Sequence, residues 1–242
     1  MSRNGQRASC ACGYVLHRRP YRDSSLIVEL YTREYGRLCT FARAARGPRT
    51  RFSGLEAFRP MLLSWVGRGE APTLTAAEPD GPPPPALAPE RVFSAFYLNE
   101  LLLKLTSPHD PQPELYAHYA DTLAKLRSAA GLETVLRQFE KRLLELLGYG
   151  AEFGQQIDGR PLAADAYYHF EAGAGLRLAD AAPGTVAGRV LLALAADEPL
   201  EDPESQRQAR AVLRTAIDHC LDGRELRVRG VARAIANMER TG

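Results

Sequence analysis

The 242-residue sequence predicts an α+β fold, in which a small N-terminal β-barrel precedes a mainly α-helical domain with a small C-terminal β-hairpin lobe. Five short segments rich in β-branched and aromatic residues lie between residues 13 and 79, and after residue 89 the spacing of the apolar residues becomes helical. We therefore predict a barrel domain at 13–79, a linker at 80–89 and a helical domain at 90–242. The polar residues 1–12 are expected to form a flexible arm.

The predicted barrel strands are Gly13–His17, Ser25–Thr32, Arg37–Arg43, Phe58–Val66 and Thr73–Ala77. Glycine-containing turns separate several of them. Five short strands with turns between them suit a small closed barrel of the OB type, which is a common nucleic-acid-binding fold. An SH3-like barrel fits the pattern nearly as well.

Residues 79–85 read Pro-Asp-Gly-Pro-Pro-Pro-Pro, which is typical of a semi-rigid linker, although a PxxP ligand for a partner domain is an alternative. Beyond the linker the pattern predicts a β insertion near 160–180, with a strand–turn–strand at Ala166–Leu178. The first helix is apolar nearly all round, so it is expected to be buried. The predicted helices are Glu90–Leu105, Pro113–Arg127, Leu132–Leu147, Val186–Ala195, Pro203–Leu221 and Arg227–Glu239.

The charge of the chain is divided unequally. Residues 1–70 hold thirteen arginines, no lysine and five acidic residues, a net charge of +8, whereas the whole chain carries only +2. Arginine outnumbers lysine throughout, as in proteins from GC-rich genomes, but that bias does not explain why the excess lies in the first domain. A basic domain on an acidic body attracts polyanions, which indicates nucleic-acid binding.

Catalytic and metal-binding patterns are absent from the sequence. It contains no phosphate-binding loop and no HExxH motif, and the five histidines lack ligand spacing. The four cysteines include no C-x2-C pair, so we predict no metal, no cofactor and no enzymatic activity. No stretch approaches the ~20 apolar residues of a membrane span and residues 1–12 lack a signal core, so we expect a cytoplasmic protein.

Several motifs, in order and with matching spacing, closely resemble the RecO family of DNA-repair recombination mediators. They are GYVLHRRPYRDSSLIVELYTREYGRL at residues 13–38, FRP at 58–60, YLNELL at 97–102, LRQFE at 136–140 and LGYG at 147–150. They span most of residues 13–153, and the last ninety residues match loosely. Many members hold a four-cysteine zinc site in the C-terminal region, but residues 153–161 here read FGQQIDGRP. The chain thus resembles a metal-free variant.

The resemblance implies an N-terminal OB-fold and a helical domain. It also implies binding of single- and double-stranded DNA, annealing of complementary strands, and cooperation with RecR to load RecA onto DNA covered by single-stranded-DNA-binding protein. It further implies that the helical domain binds the acidic C-terminal tail of that protein. These roles need no catalytic residue, and they place the chain at the nucleoid.

Arginines of the first domain are the DNA-binding candidates. Four of them fall in the nine-residue segment 43–51, which reads as an exposed loop after a strand, although a solvated loop with no partner is the alternative. Tyr14, Tyr31, Tyr35 and Phe41 are candidates for base stacking, but alternating aromatics in a barrel are more often core. The candidates for phosphate contact are Arg18, Arg19, Arg22, Arg37, Arg43, Arg46, Arg49, Arg51 and Arg68.

A second candidate site lies on the predicted helix Leu132–Leu147. Leu136 would supply an apolar socket for a terminal Phe, Arg137 a cation for its carboxylate, and Lys141 a second cation at i+4. The alternative is that Arg137 is an exposed helix residue paired with Glu133. For the whole protein, two other functions stay open: an RNA- or ribosome-associated OB protein, and an adaptor whose basic face meets an acidic protein.

Overall fold

The first five strands form a closed barrel. In the computed structural model, which describes residues 6–46, 50, 52, 54–67, 69, 71–150 and 153–230, their order around the barrel is β1-β2-β3-β5-β4. All neighbours are antiparallel except β3 and β5, which close the barrel as a parallel pair. This arrangement confirms the predicted OB-type barrel. The strands are β1 (Gln6–Tyr21), β2 (Ser25–Thr32), β3 (Gly36–Ala42), β4 (Met61–Gly67) and β5 (Thr73–Pro79).

Strand β1 begins before the predicted position. The prediction of a flexible arm at 1–12 is wrong from Gln6 onward, because residues 6–13 pair with β4. The register shifts between Ala8 and Ala11, where Cys10 adopts φ 54° and donates its backbone N–H to the hydroxyl of Ser64 at 3.0 Å. A bulge of this kind breaks the two-residue alternation, so the segment does not read as a strand.

The barrel core is built mainly from alternate residues of β2, β3 and β4. In β3 the even-numbered positions are buried and the odd-numbered ones are half-buried, as the two-residue period of a strand requires. The packed interior includes Leu30, Leu38, Leu63 and Trp65, all at most 1% exposed. Removing that much apolar surface from water is the main source of the barrel's stability.

The rest of the chain is mainly helical with one small sheet. Strand β6 (Tyr167–Glu171) lies between β7 (Gly175–Ala179) and the short β8 (Val186–Ala187), which confirms the predicted β-hairpin lobe. Strand β8 occupies the first two residues of a predicted helix. The helices are α1 (Pro89–Leu105), α2 (Pro113–Arg127), α3 (Leu132–Leu146), α4 (Gly188–Ala195) and α5 (Pro203–Leu221). Residues 227–230 are also helical, and the rest of the helix predicted to Glu239 lies outside the described residues.

Helix α1 is not buried on all sides, contrary to its apolar sequence. Phe93 and Phe96 stay 43% and 42% exposed, whereas the polar Asn99 and Glu100 are buried. The Asn99 amide donates to the Leu16 carbonyl at 2.9 Å and accepts from the Tyr119 hydroxyl at 2.5 Å. Burial of these polar groups is tolerated because each has a hydrogen-bond partner.

The Glu100 carboxylate holds a distant part of the chain. Its two oxygens accept the backbone N–H groups of Arg227 and Val228 at 2.8 and 2.9 Å. The chain divides into two compact units, Met1–Leu123 with Leu226–Gly242, and Ala124–Glu225. The first unit thus includes α1 and most of α2 beside the barrel, and the domain boundaries drawn from the sequence stay predictions.

Candidate nucleic-acid interface and partner groove

The first candidate site lies on the outside of the barrel. Cross-strand register places Arg19 of β1 opposite Ile27 of β2, and Ile27 opposite Phe41 of β3. These residues alternate with the core residues of the same strands, so they lie on the other side of the sheet. Phe41 packs against Tyr21 with ring centroids 5.3 Å apart. We call the surface of Arg19, Tyr21, Arg22, Phe41 and Arg43 the outer face.

Three of the nine predicted arginines supply the charge of the outer face. Arg19, Arg22 and Arg43 are exposed, and the Arg22 guanidinium lies 5.3 Å from the centre of the Tyr21 ring. Within the described part of the chain, neither Arg19 nor Arg43 makes a hydrogen bond or an ion pair. Cations that lack internal partners remain available for phosphate.

Three other predicted arginines are engaged within the protein. Arg18 donates to the Leu55 carbonyl at 3.0 Å, and Arg46 donates to the Asp23 carbonyl at 2.9 Å. Arg37 is the least exposed of the three. It donates from two nitrogens to the carbonyl of Thr106 and pairs with Glu29 at 3.5 Å. The remaining predicted contacts, Arg49, Arg51 and Arg68, lie outside the described residues.

Two of the aromatic stacking candidates belong to the interior. Tyr14 and Tyr31 are 7% and 1% exposed and pack against Tyr116 and Tyr119, with ring centroids 5.1 to 6.2 Å apart. Burial raises the pKa of Tyr31 and of Tyr116, since the phenolate form is poorly solvated there. These rings join the barrel to α2 and are not accessible to bases.

Of the other two candidates, only Phe41 lies on the outer face. Tyr35 packs edge-on against Trp65 at 5.0 Å, beside the barrel core. Tyr21 follows the motif arginines closely and was not among the residues predicted to stack on bases. The signal was available in principle, because Tyr21 and Arg19 are two apart on one strand and therefore share a face.

The second candidate site is a groove within the second compact unit. Helix α3 forms one wall, and the α4–α5 segment forms the other. The groove is lined by Glu133, Thr134, Arg137, Gln138, Lys141, Leu194, Asp197, Glu198, Leu200 and Gln206. The structure therefore brings the predicted pair Arg137 and Lys141 into one concave surface. The third predicted residue, Leu136, is buried and is not among the described residues that line it.

Both cations of this groove are buried. Arg137 is 8% exposed and donates from Nη2 to Glu140 at 2.7 Å, while its Nε has no hydrogen-bond partner in the described part of the chain. Lys141 donates from Nζ to the Ala195 carbonyl at 2.8 Å and to Asp197 Oδ1 at 2.9 Å. The alternative that Arg137 is an exposed residue paired with Glu133 is therefore wrong.

Glu133 pairs with a different arginine, Arg210 of α5. Partial burial acts to raise the pKa of Glu133, but the hydrogen bond from Arg210 and the charges of Arg137 and Arg210 lower it overall. None of the residues on the far wall of the groove, which include Asp197 and Leu200, was predicted from the sequence. Nothing in the sequence pattern links these residues to α3, which precedes them by more than fifty positions.

No group of three or more His, Cys, Asp or Glu side chains in the described residues is placed to hold a metal ion. The four cysteines form no disulfide, and burial raises the pKa of Cys220. Among the helices described, none is long and apolar enough to cross a membrane.

An OB-type barrel whose outer face combines arginines and aromatic rings is typical of nucleic-acid-binding proteins. Two family models match the chain: Recombination protein O N terminal over residues 10–82 and Recombination protein O C terminal over residues 87–229. The chain belongs to the RecO family and is a DNA-interacting repair protein with a role in DNA repair and recombination.

Relatives match over nearly the full length. The chain is 44% identical to the DNA repair protein RecO of Alkalilimnicola ehrlichii, covering 98% of this chain and 96% of the relative. It is 39% identical to that of an Azoarcus species, covering 96% and 98%. It is 41% identical to that of Pseudomonas aeruginosa PAO1, covering 90% and 92%.

Proposed function

We propose that this protein binds single- and double-stranded DNA through the outer face of the barrel and anneals complementary strands there. The observation that carries the proposal is the group of exposed arginines, Arg19, Arg22 and Arg43, around the paired rings of Tyr21 and Phe41. Exposed guanidinium groups grip phosphate, and the accessible faces of the half-buried Tyr21 and Phe41 rings stack on unpaired bases. Arg37 is left out of this interface because its donors are engaged by Thr106 and Glu29.

Annealing requires two polyanions to be held close while their bases stay free to pair. Arginine contacts to phosphate neutralise the repulsion between strands and exchange readily with salt. These contacts need no general base, metal or nucleophile, so we propose that the protein is not an enzyme. We propose instead that it is a mediator that helps RecR to load RecA onto DNA coated with single-stranded-DNA-binding protein. Because DNA is the ligand, we place this work in the cytoplasm at the nucleoid.

We further propose that the groove of the second unit receives the acidic C-terminal tail of single-stranded-DNA-binding protein. The buried Arg137 Nε, which has no hydrogen-bond partner in the described part of the chain, supports this proposal. A carboxylate entering the groove would supply the missing acceptor and remove the cost of burying an unsatisfied donor. Leu194 and Leu200 offer apolar surface to the ring of a terminal Phe.

The test is a strand-annealing assay on oligonucleotides coated with single-stranded-DNA-binding protein. Replacing Arg19, Arg22 and Arg43 by Ala is expected to slow annealing and weaken DNA binding. The matched control replaces Arg160, Arg177 and Arg207, three well-exposed arginines of the second unit, and removes the same charge.

Equal reductions in the two triple variants would indicate a net-charge effect and contradict the proposed interface. Tighter binding of single-stranded RNA than of DNA by the wild-type protein, together with no affinity for the tail, would favour the RNA-associated alternative. Binding of an acidic protein that added DNA does not displace would favour the adaptor.

A further inference from the structure

The second unit places an acidic side chain on the cation of its own groove. Asp197 lies just beyond the end of α4, and its carboxylate is 2.9 Å from Lys141 Nζ. The Asp197 side chain is 60% exposed, whereas that of Lys141 is 8% exposed. The pair is therefore asymmetric, because an exposed acid reaches a buried ammonium.

The backbone around Asp197 holds this contact in place. Asp197 adopts φ 57°, in the left-handed region that Asp and Asn tolerate better than most residues. Its carbonyl accepts a hydrogen bond from the side chain of Gln138 at 3.1 Å, which ties the loop to α3. Lys141 is also held by the Ala195 carbonyl at 2.8 Å, so its ammonium stays in position whether or not Asp197 is present.

We propose that the Asp197 carboxylate is an internal ligand that occupies the anion subsite of the groove and must be displaced by an acidic peptide. The inference rests on the proposed function of the groove as a tail site. In the free protein the internal ligand at 2.9 Å neutralises a buried ammonium, which otherwise would carry a desolvation cost, and Glu145 Oε1 lies farther from Lys141 Nζ at 3.8 Å. On binding, a peptide carboxylate replaces Asp197, so the contact to Lys141 adds little affinity.

This exchange makes the groove selective. A ligand with a single negative charge gains no affinity by displacing Asp197, because it only exchanges one carboxylate for another at Lys141. A tail that brings a terminal carboxylate and flanking acids supplies anions to both Lys141 and Arg137. Because Asp197 is mostly exposed, its carboxylate returns to water when it is displaced, at small cost.

Titration of a labelled peptide of Asp residues ending in Phe tests the inference. Asp197→Asn keeps the residue's shape and its tolerance of positive φ but removes the competing charge. We expect it to bind the peptide about threefold to tenfold more tightly than wild type, the range between an exposed ion pair and a charge-assisted hydrogen bond. DNA affinity is expected to stay unchanged.

Glu198→Gln is the matched control. Glu198 lines the same groove and carries the same charge, but no contact between its carboxylate and Lys141 is found in the described part of the chain. If Asp197 acts only by general repulsion, the two variants will tighten binding equally, which would overturn the inference. We expect Glu198→Gln to change the affinity by less than about twofold, because exposed charges are screened by salt.

A variant of Lys141 separates displacement of Asp197 from other causes of tighter peptide binding. In Lys141→Met the subsite has no cation, so adding Asp197→Asn is expected to have little further effect. A gain that persists in Lys141→Met overturns the inference, as does a wild-type protein that binds the peptide no more weakly than Asp197→Asn. If no variant binds the peptide, the proposed tail site itself fails and the inference falls with it.

Discussion

The cationic side chains of the two candidate sites differ in burial and in pairing. On the outer face, Arg19 and Arg43 are exposed and make no hydrogen bond or ion pair within the described chain. In the groove, Arg137 and Lys141 are buried and already paired with Glu140 and Asp197. Exposed, unpaired cations suit a repetitive polyanion that must slide and exchange, whereas buried, pre-positioned cations suit one anion in one geometry. The uneven charge distribution of the sequence predicts a site of the first kind, the outer face, but gives no indication of the second, the groove.

The largest expected effect concerns the arginine segment after β3. Replacing Arg43, Arg46, Arg49 and Arg51 by Ala should weaken DNA binding and lower the log–log salt slope by about 0.7–0.9 for each phosphate that the variant no longer neutralises, or by up to about 3.6 in all. The fold should persist, because Arg43 and Arg46 are exposed and exposed arginines contribute little to stability. The measurement is DNA affinity across a salt series, and an unchanged slope would place the DNA site elsewhere.

Single variants sharpen this prediction. The Arg46 side chain donates to the Asp23 carbonyl, whereas Arg43 has no such bond in the described chain. Arg43→Ala should therefore lower the salt slope more than Arg46→Ala. The reverse order would mean that Arg46 leaves Asp23 when DNA binds.

The next effect concerns the groove. Arg137→Ala removes a charge-assisted contact worth roughly 1.5–3 kcal/mol, so the affinity for an acidic peptide ending in Phe should fall about tenfold to hundredfold. Lys141→Ala should act in the same direction but less, because Asp197 already offsets its charge. Fluorescence titration of a labelled peptide measures both, and binding of naked DNA serves as the control. Equal affinities of wild type and Arg137→Ala for the peptide would mean that the groove is not the tail-binding site.

A smaller effect is expected from the ion pair between α3 and α5. Glu133→Gln removes the partner of Arg210 and should lower the free energy of unfolding by about 0.5–1 kcal/mol near neutral pH, since the pair is partly exposed. The folded-state pKa of Glu133 is lowered, so its contribution is present above the ordinary glutamate pKa and is lost as the pH falls through the folded value. Denaturant unfolding of both proteins at several pH values should show the difference vanish in acid. A difference in the free energy of unfolding that stays constant with pH would mean that packing, and not the ion pair, causes it.

The smallest expected effect is the response to metal removal. The predicted absence of structural zinc means that the purified protein should contain no stoichiometric zinc and that a chelator should leave its thermal midpoint unchanged. Elemental analysis and thermal unfolding measure the two quantities. One zinc per chain, released only on unfolding, would contradict the prediction.

The barrel was predictable because its signals are local. The apolar, β-branched run of β2, the alternation in β3, the turn at Gly36 and the apolar period of α3 can each be read from a few neighbouring residues. The start of β1 was not predictable, because the bulge at Cys10 breaks the alternation and only pairing with β4 makes the segment a strand. The exposure of Phe93 was missed for a related reason, since composition does not show which side of a helix meets the barrel.

The sequence by itself determined the class of fold, the concentration of arginine in the first domain and the motifs that place the chain in the RecO family. Tertiary structure alone decided which of those arginines are available. Arg19 and Arg37 read alike in sequence, yet one remains exposed and the other is tied to Thr106. It also decided that Lys141 meets Asp197, fifty-six positions away. Whether a charge is available to a ligand depends on which acceptors the folded chain brings to it, and residues distant in sequence supply those acceptors.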